Sequence, residues 1–155
     1  MLHRSLDTPL GRMRLTASHG AIIAADWTET DCAIPPKGSA PELEEACNQL
    51  SAYFSGNLTE FDLPLRVEAS EFQQKLCAAI AAIPFGQTRT YGDIARDLGA
   101  PPQAVGAGCG GNPIPVIIPC HRVLGANSLG GFSARGGVES KVWLLRFEGA
   151  AGLLI

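Results

Sequence analysis

A cysteine and a histidine stand side by side in Pro119-Cys120-His121-Arg122-Val123. A thiol reacts as its thiolate, a soft nucleophile, and an imidazole is a side chain that can take the thiol proton near neutral pH. The pair is entered from the apolar run Ile114-Pro115-Val116-Ile117-Ile118, which reads as a buried strand. A glycine-rich loop from Gly125 to Gly137 follows it. That order predicts a nucleophile held on a rigid element under a mobile wall. In an extended strand, neighbouring side chains face opposite ways. Contact between the two groups therefore requires that the backbone turn after Pro119, or that a water relay the proton. A Cys-His dipeptide alone says little, because most free cysteines are small buried hydrophobes.

The elements that must position this pair follow from periodicity and punctuation. Residues 12–16 alternate, Ser18-His19-Gly20 turns, and 21–27 is an apolar run, so the first part reads as a small β-meander. His3 falls at a strand start and His19 in a turn, and both read as packing or surface residues. Residues 28–40 form an irregular loop. Pro41-Glu42 opens a helix to about Phe54, with Leu43, Ala46, Cys47, Leu50 and Phe54 on one face and Gly56-Asn57 ending it. Residues 63–67 are a strand or a linker. Ser70 and Gln73 make a capping box for a helix over 71–82, broken by Pro84-Phe85-Gly86. Thr90 and Asp93 repeat the box for a short helix over 91–98, stopped by Gly99. Pro101-Pro102 begins another through about Cys109, and the two read as a helix-turn-helix. The last helix is expected over 139–148.

Bulk properties bound the rest. Hydrophobic residues at 46% with 17% charged mark a globular chain. No apolar run approaches the ~20 residues that span a bilayer, and Met1-Leu2-His3-Arg4 lacks a signal-peptide core, so no membrane contact and a cytoplasmic location are expected. Five cysteines without a CxxC pair argue against a disulfide framework and a zinc ribbon. The first 67 residues carry 5 Lys/Arg against 9 Asp/Glu, net −4, and the remainder 7 against 6, net +1. A nucleic-acid face therefore belongs in the second half, with a modest electrostatic contribution.

The segment NPIPVIIPCHRVLGANSLGGFSARGGVESKVWLLRFEG resembles the active-site region of the O6-alkylguanine-DNA alkyltransferases. The resemblance continues upstream through Phe85-Gly86-Gln87-Thr88-Arg89-Thr90-Tyr91-Gly92-Asp93-Ile94-Ala95 and Ala104-Val105-Gly106, and covers roughly residues 70–150. It implies an α+β protein of two domains. Residues 1–67 form a small α/β domain with a short antiparallel, ribonuclease H-like sheet. Residues 68–155 form a mainly helical, winged-helix-like domain carrying the helix-turn-helix and the alkyl acceptor.

The resemblance also implies the roles. Cys120 takes the alkyl group from O6-alkylguanine in a flipped-out base, guanine being the leaving group, and the thioether product makes the protein a single-turnover acceptor. His121 contacts the thiol through a water, and Glu148 orients the imidazole. Tyr91 protonates the leaving guanine. Asn112, which as a residue before proline also favours a turn, ties the helix-turn-helix to the active-site strand. Val123, Gly131, Phe132 and Ser133 wall the base pocket. Thr90, Gln103, Ala104, Val105, Gly106 and Arg122 face the DNA. The implied partner is double-stranded DNA containing alkylated guanine, met through the minor groove by a monomer, with no cofactor and no metal.

Small side chains over 103–109 would let a helix backbone enter the narrow minor groove, though they equally suit tight helix–helix packing. Gln103 stands where the family usually has an arginine that inserts into the duplex. Glutamine can fill the vacated space but supplies neither charge nor a guanidinium stacking plane. Two rival readings remain: a lesion-recognition protein that flips alkylguanine and recruits other repair machinery, and a Cys-His-Glu thiol enzyme acting on acyl substrates. The first lacks the cysteine in the relatives of that kind, and the second has no support outside the triad.

Overall fold

The computed structural model describes residues 1–132 and 136–150. The chain divides into two compact units, one ending at Glu68 and the other beginning at Ala69. In the first unit, β1 (Leu2–Thr8), β2 (Gly11–Ser18) and β3 (Ala21–Trp27) form an antiparallel sheet in that order. The turn between β2 and β3 uses His19 and Gly20, with φ of 49° and 78°, the mirror-image turn that matches strand twist. β1 has no clean alternation because it is the half-exposed outer strand of the meander. Residues 28–40 hold no helix or strand.

α1 (Pro41–Phe54) starts on a proline whose missing N–H costs nothing there, with Glu42 and Glu44 at the positive end of its dipole. It buries Leu43, Ala46, Cys47, Leu50 and Tyr53. Tyr53, rather than the expected Phe54, completes the stripe, because the returning chain packs Phe61 5.4 Å from its ring. Gly56 takes φ 81°, and Asn57 N–H reaches back to Ala52 O at 2.8 Å, a Schellman closure. The 63–67 segment contributes one parallel bridge, Leu65 to Ile22, with Ile22 N–H donating to Pro64 O at 2.7 Å.

The second unit is mainly helical. α2 (Glu71–Ala81) is capped by Ser70, whose hydroxyl accepts from Gln73 N–H at 3.1 Å. The expected box is only half formed. The Gln73 side chain instead donates to Gly108 O at 2.7 Å, since α4 (Pro102–Gly110) crosses α2 there. β4 (Arg89–Thr90) leads into α3 (Tyr91–Leu98), whose box is complete, with both bonds at 3.0 Å and Gly99 at φ 64°. β5 (Val123–Leu124) pairs in parallel with β4, a contact too short to leave a sequence pattern. α5 (Val138–Phe147) closes the unit, with Glu148 as its C-cap. Leu76, Ile80, Ile94, Val105, Leu144 and Leu145 are fully buried here.

The run 114–118 is not the buried strand its composition suggests. It is a buried turn, closed by Ile118 N–H to Ile114 O at 2.9 Å and a Pro115–Ile118 bridge. Pro113 and Pro115 have no N–H for a ladder. Val116 at its centre adopts φ 73°, a left-handed conformation that costs a β-branched residue on the order of 1–3 kcal/mol.

Gly108 is where α2 and α4 touch: a Cβ there would lie 2.1 Å from Leu76 Cδ2 and 2.9 Å from Gln73 Oε1. Leu76 is fully buried and has nowhere to go. Gly108→Ala is expected to destabilise the unit by about 1–3 kcal/mol, measured by urea unfolding.

Candidate active site

The nucleophile's peptide turns after Pro119. Cys120–Arg122 form one 3-10 turn, with Arg122 N–H donating to Pro119 O at 2.9 Å. Three residues per turn send successive side chains about 120° apart. Cys120, His121 and Arg122 thus point three ways, and all three are buried. His121 Nε2 meets Glu148 Oε2 at 2.8 Å. Arg122 grips the same carboxylate, Nε to Oε1 at 2.8 Å and a terminal nitrogen to Oε2 at 2.9 Å. Its other terminal nitrogen donates to Ile83 O at 2.6 Å, and its guanidinium lies 5.8 Å from the Phe85 ring centroid. Arg122 was expected to face DNA. It is instead an interior cation, committed to Glu148, because a buried carboxylate needs a charged partner.

Burial, modified by that pairing, sets the protonation of the site. Burial pushes the His121 imidazolium down, Glu148 partly offsets this, and Arg122 and Lys141 push further the same way. Histidine is therefore neutral at pH 7, with Nε2–H donating to the carboxylate and Nδ1 left unprotonated. Nδ1 is buried and has no hydrogen-bond partner among the described residues. Burial also pushes the Cys120 thiol up, opposed by a hydrogen bond from Asn112 and the charge of Lys141. The resting sulfur is a thiol. Asn112 Nδ2 donates to Ile118 O at 2.8 Å, and its Oδ1 accepts from Ile114 N–H at 3.0 Å. One side chain so clasps the turn that leads into the nucleophile.

Tyr91, at the start of α3, is half-buried, and burial keeps its hydroxyl protonated. The Gly131 amide donates to its oxygen. A Cβ on Gly130 would come within 2.2 Å of that oxygen, so only glycine lets the loop approach. Phe132 meets the His121 ring edge-on, centroids 6.2 Å apart. Val123 is fully buried beneath. Ser133, expected as a pocket wall, lies outside the described residues.

Lys141 is the functional candidate that sequence reasoning missed. It is completely buried, and Nζ donates to Val123 O at 2.7 Å and Gly131 O at 3.1 Å. Burial lowers its pKa to about 8, against the pull of Cys120 and Cys109. The signal was present: helical spacing sets 141 on one face with Leu144, Leu145 and Glu148.

On α4, Gln103 and Ala107 are exposed, Ala104 and Gly106 half-buried, and a Cβ at Gly106 or Gly110 would meet nothing. Val105, expected on this face, is fully buried in the core, because α4 must use it to pack. Thr90 spends its hydroxyl on the α3 cap. Among the described residues no cluster of three His, Cys, Asp or Glu could hold a metal, and no helix is long and apolar enough to cross a membrane.

Comparison with known families matches both halves of the chain. Residues 71–150 fit the DNA binding domain of 6-O-methylguanine DNA methyltransferase, and residues 1–67 fit its ribonuclease-like domain. The chain belongs to this family. A methylated-DNA--protein-cysteine methyltransferase of Mycobacterium leprae is 43% identical, covering 96% of this chain and 93% of its own. The crystal structure of a Mycobacterium tuberculosis O6-methylguanine methyltransferase superposes with a TM-score of 0.81 at 37% identity, covering 99% of this chain and 95% of that one. A Mycobacterium tuberculosis OGT in complex with DNA gives 0.82 at 38% identity, covering 95% and 92%. Over these lengths the methyltransferase resemblance spans both units.

Two outcomes follow from the shared carboxylate. Arg122→Met leaves Glu148 buried and uncompensated. It is expected to cost about 3–5 kcal/mol in urea unfolding, and to raise the His121 titration midpoint read by NMR. In the native chain His121 holds its proton less tightly than the unfolded value of 6.5. The unfolded state therefore binds more protons below that pH, and stability is lost as pH falls through 6.5. His121→Gln is expected to flatten that part of the stability–pH curve.

Proposed function

We propose that this chain repairs DNA by direct reversal, moving the alkyl group of O6-alkylguanine irreversibly onto Cys120 Sγ. The observation that carries the reading is the buried polar chain behind one sulfur: Asn112 on the thiol, and Arg122 and His121 on a single carboxylate. The names of the relatives supply the substrate class. Duplex DNA hides the alkyl group in the stack, so the base must be flipped out, at a cost of a few kcal/mol.

The thiol proton passes through a water to His121 Nδ1, and Glu148 stabilises the imidazolium that forms. The sulfur attacks the alkyl carbon in line, the S–C bond forms, and the C–O bond to guanine breaks. Tyr91 donates a proton to the purine, so that neutral guanine leaves. Val123, Gly131 and Phe132 surround the base, and Asn112 holds the sulfur's support. Gln103, Ala104 and Gly106 on α4, with the Thr90 backbone, meet the minor groove of double-stranded DNA. Residues 68–155 act as the DNA-binding and alkyl-acceptor domain beside an N-terminal domain of residues 1–67. The protein works as a cytoplasmic monomer. The thioether has no leaving path, so one molecule repairs one lesion.

Incubation with duplex DNA carrying O6-methylguanine is expected to add one methyl mass to the peptide containing Cys120, at a stoichiometry no greater than one. Cys120→Ser should take none. Unmodified protein recovered in full from excess damaged DNA would refute the reading. Gln103→Arg restores a charge and a stacking plane at the duplex. It should raise affinity and repair rate on duplex DNA, and an unchanged rate would show that Gln103 is not limiting.

A further inference from the structure

We propose that Lys141 is a positioning residue of the base pocket, pinning the Gly131 peptide so that Tyr91 offers its hydroxyl proton to the base. The inference rests on the alkyl-transfer reading above.

A buried lysine is costly unless its donors are used. Lys141 Nζ uses two of its three on carbonyls of two separate segments, Val123 O at 2.7 Å and Gly131 O at 3.1 Å. The ammonium thereby ties β5 to the glycine loop. Gly131 is then held on both sides. Its carbonyl, in the peptide to Phe132, accepts from Lys141, and its N–H, in the peptide from Gly130, donates to the Tyr91 oxygen. A hydroxyl that already accepts from an amide is directed to donate elsewhere. Its proton turns away from Gly131, into the pocket. Gly130 lets the loop sit this close, since any Cβ there would collide with the Tyr91 oxygen. The ionisable groups around Lys141 are Cys120 and His121 on the 3-10 turn and Cys109 on α4. The hydrogen bonds of its ammonium go to the two carbonyls, Val123 O and Gly131 O.

The test is a double-mutant cycle on methyl transfer from duplex O6-methylguanine DNA, in single turnover at saturating DNA. Tyr91→Phe is expected to slow transfer about 10²-fold. Lys141→Met, of similar length and uncharged, should slow it about tenfold or more. Placed in the Tyr91→Phe background, it should slow it less than about twofold further, because both changes remove one proton donation. Parent-like transfer by Lys141→Met, or full additivity with Tyr91→Phe, would overturn the inference. A parent protein that takes no methyl would instead defeat the alkyl-transfer reading. Should Lys141→Met fail to fold, NMR titration of the unaltered protein decides. The Gly131 amide and Tyr91 ring signals should move together with a midpoint near the Lys141 value of about 8. Signals that stay still across that range would sink the proposal.

Discussion

One buried carboxylate fixes the geometry of the second unit. Glu148 ends α5, and its two oxygens take three hydrogen bonds from the turn that carries the sulfur. Removing two charges from water costs several kcal/mol per ion, and the cost is met only when the remaining lone pairs and protons are engaged. Arg122 satisfies that condition with Ile83 O and the Phe85 face as well as the carboxylate. The 3-10 turn can neither rotate nor slide without stranding a charge. The chain between Pro84 and Gly86 is drawn in too, since Gly86 sits 3.2 Å by its absent Cβ from the Glu148 carbonyl. Segments some sixty residues apart in sequence are thereby held to one point.

Burial keeps the base neutral, and the Arg122 charge adds to it. With Arg122 balancing Glu148, the imidazole has little reason to hold a proton in the interior. Its free nitrogen is the one turned from the carboxylate. Asn112 completes the arrangement from the other side. It follows α4 directly and reaches both the turn at 114–118 and the sulfur. The helix with the bare outer face and the nucleophile therefore share one support.

Much of this was legible in sequence, for identifiable reasons. The Thr90–Asp93 box, Gly99 and the prolines at 101 and 102 are local signals, and local backbone demand decides helix ends. The Cys-His pair and Glu148 were legible through a specific motif. What failed was long-range. Gln73 reads as a capping partner until α4 passes within reach. The 114–118 run has strand composition, yet two prolines and the Asn112 clasp fold it into a turn. Arg122 and Val105 read as surface residues, and only the packed fold shows one paired inside and one in the core. Lys141 is charged, and burial of a charge is paid for by distant carbonyls that no short window contains.

The chain carries five thiols, a curious load for a protein that would be consumed by a single alkylation. Their surroundings make sense of it. Cys77 is held at about 11 and Cys109 at about 12, Cys47 is pushed up by burial as well, and Cys120 itself rests protonated. Freely diffusing electrophiles attack thiolates. These four buried sulfurs offer scarcely any near neutrality, so small reagents find little thiolate among them, and the acceptor's one shot is saved for a carbon delivered on a purine.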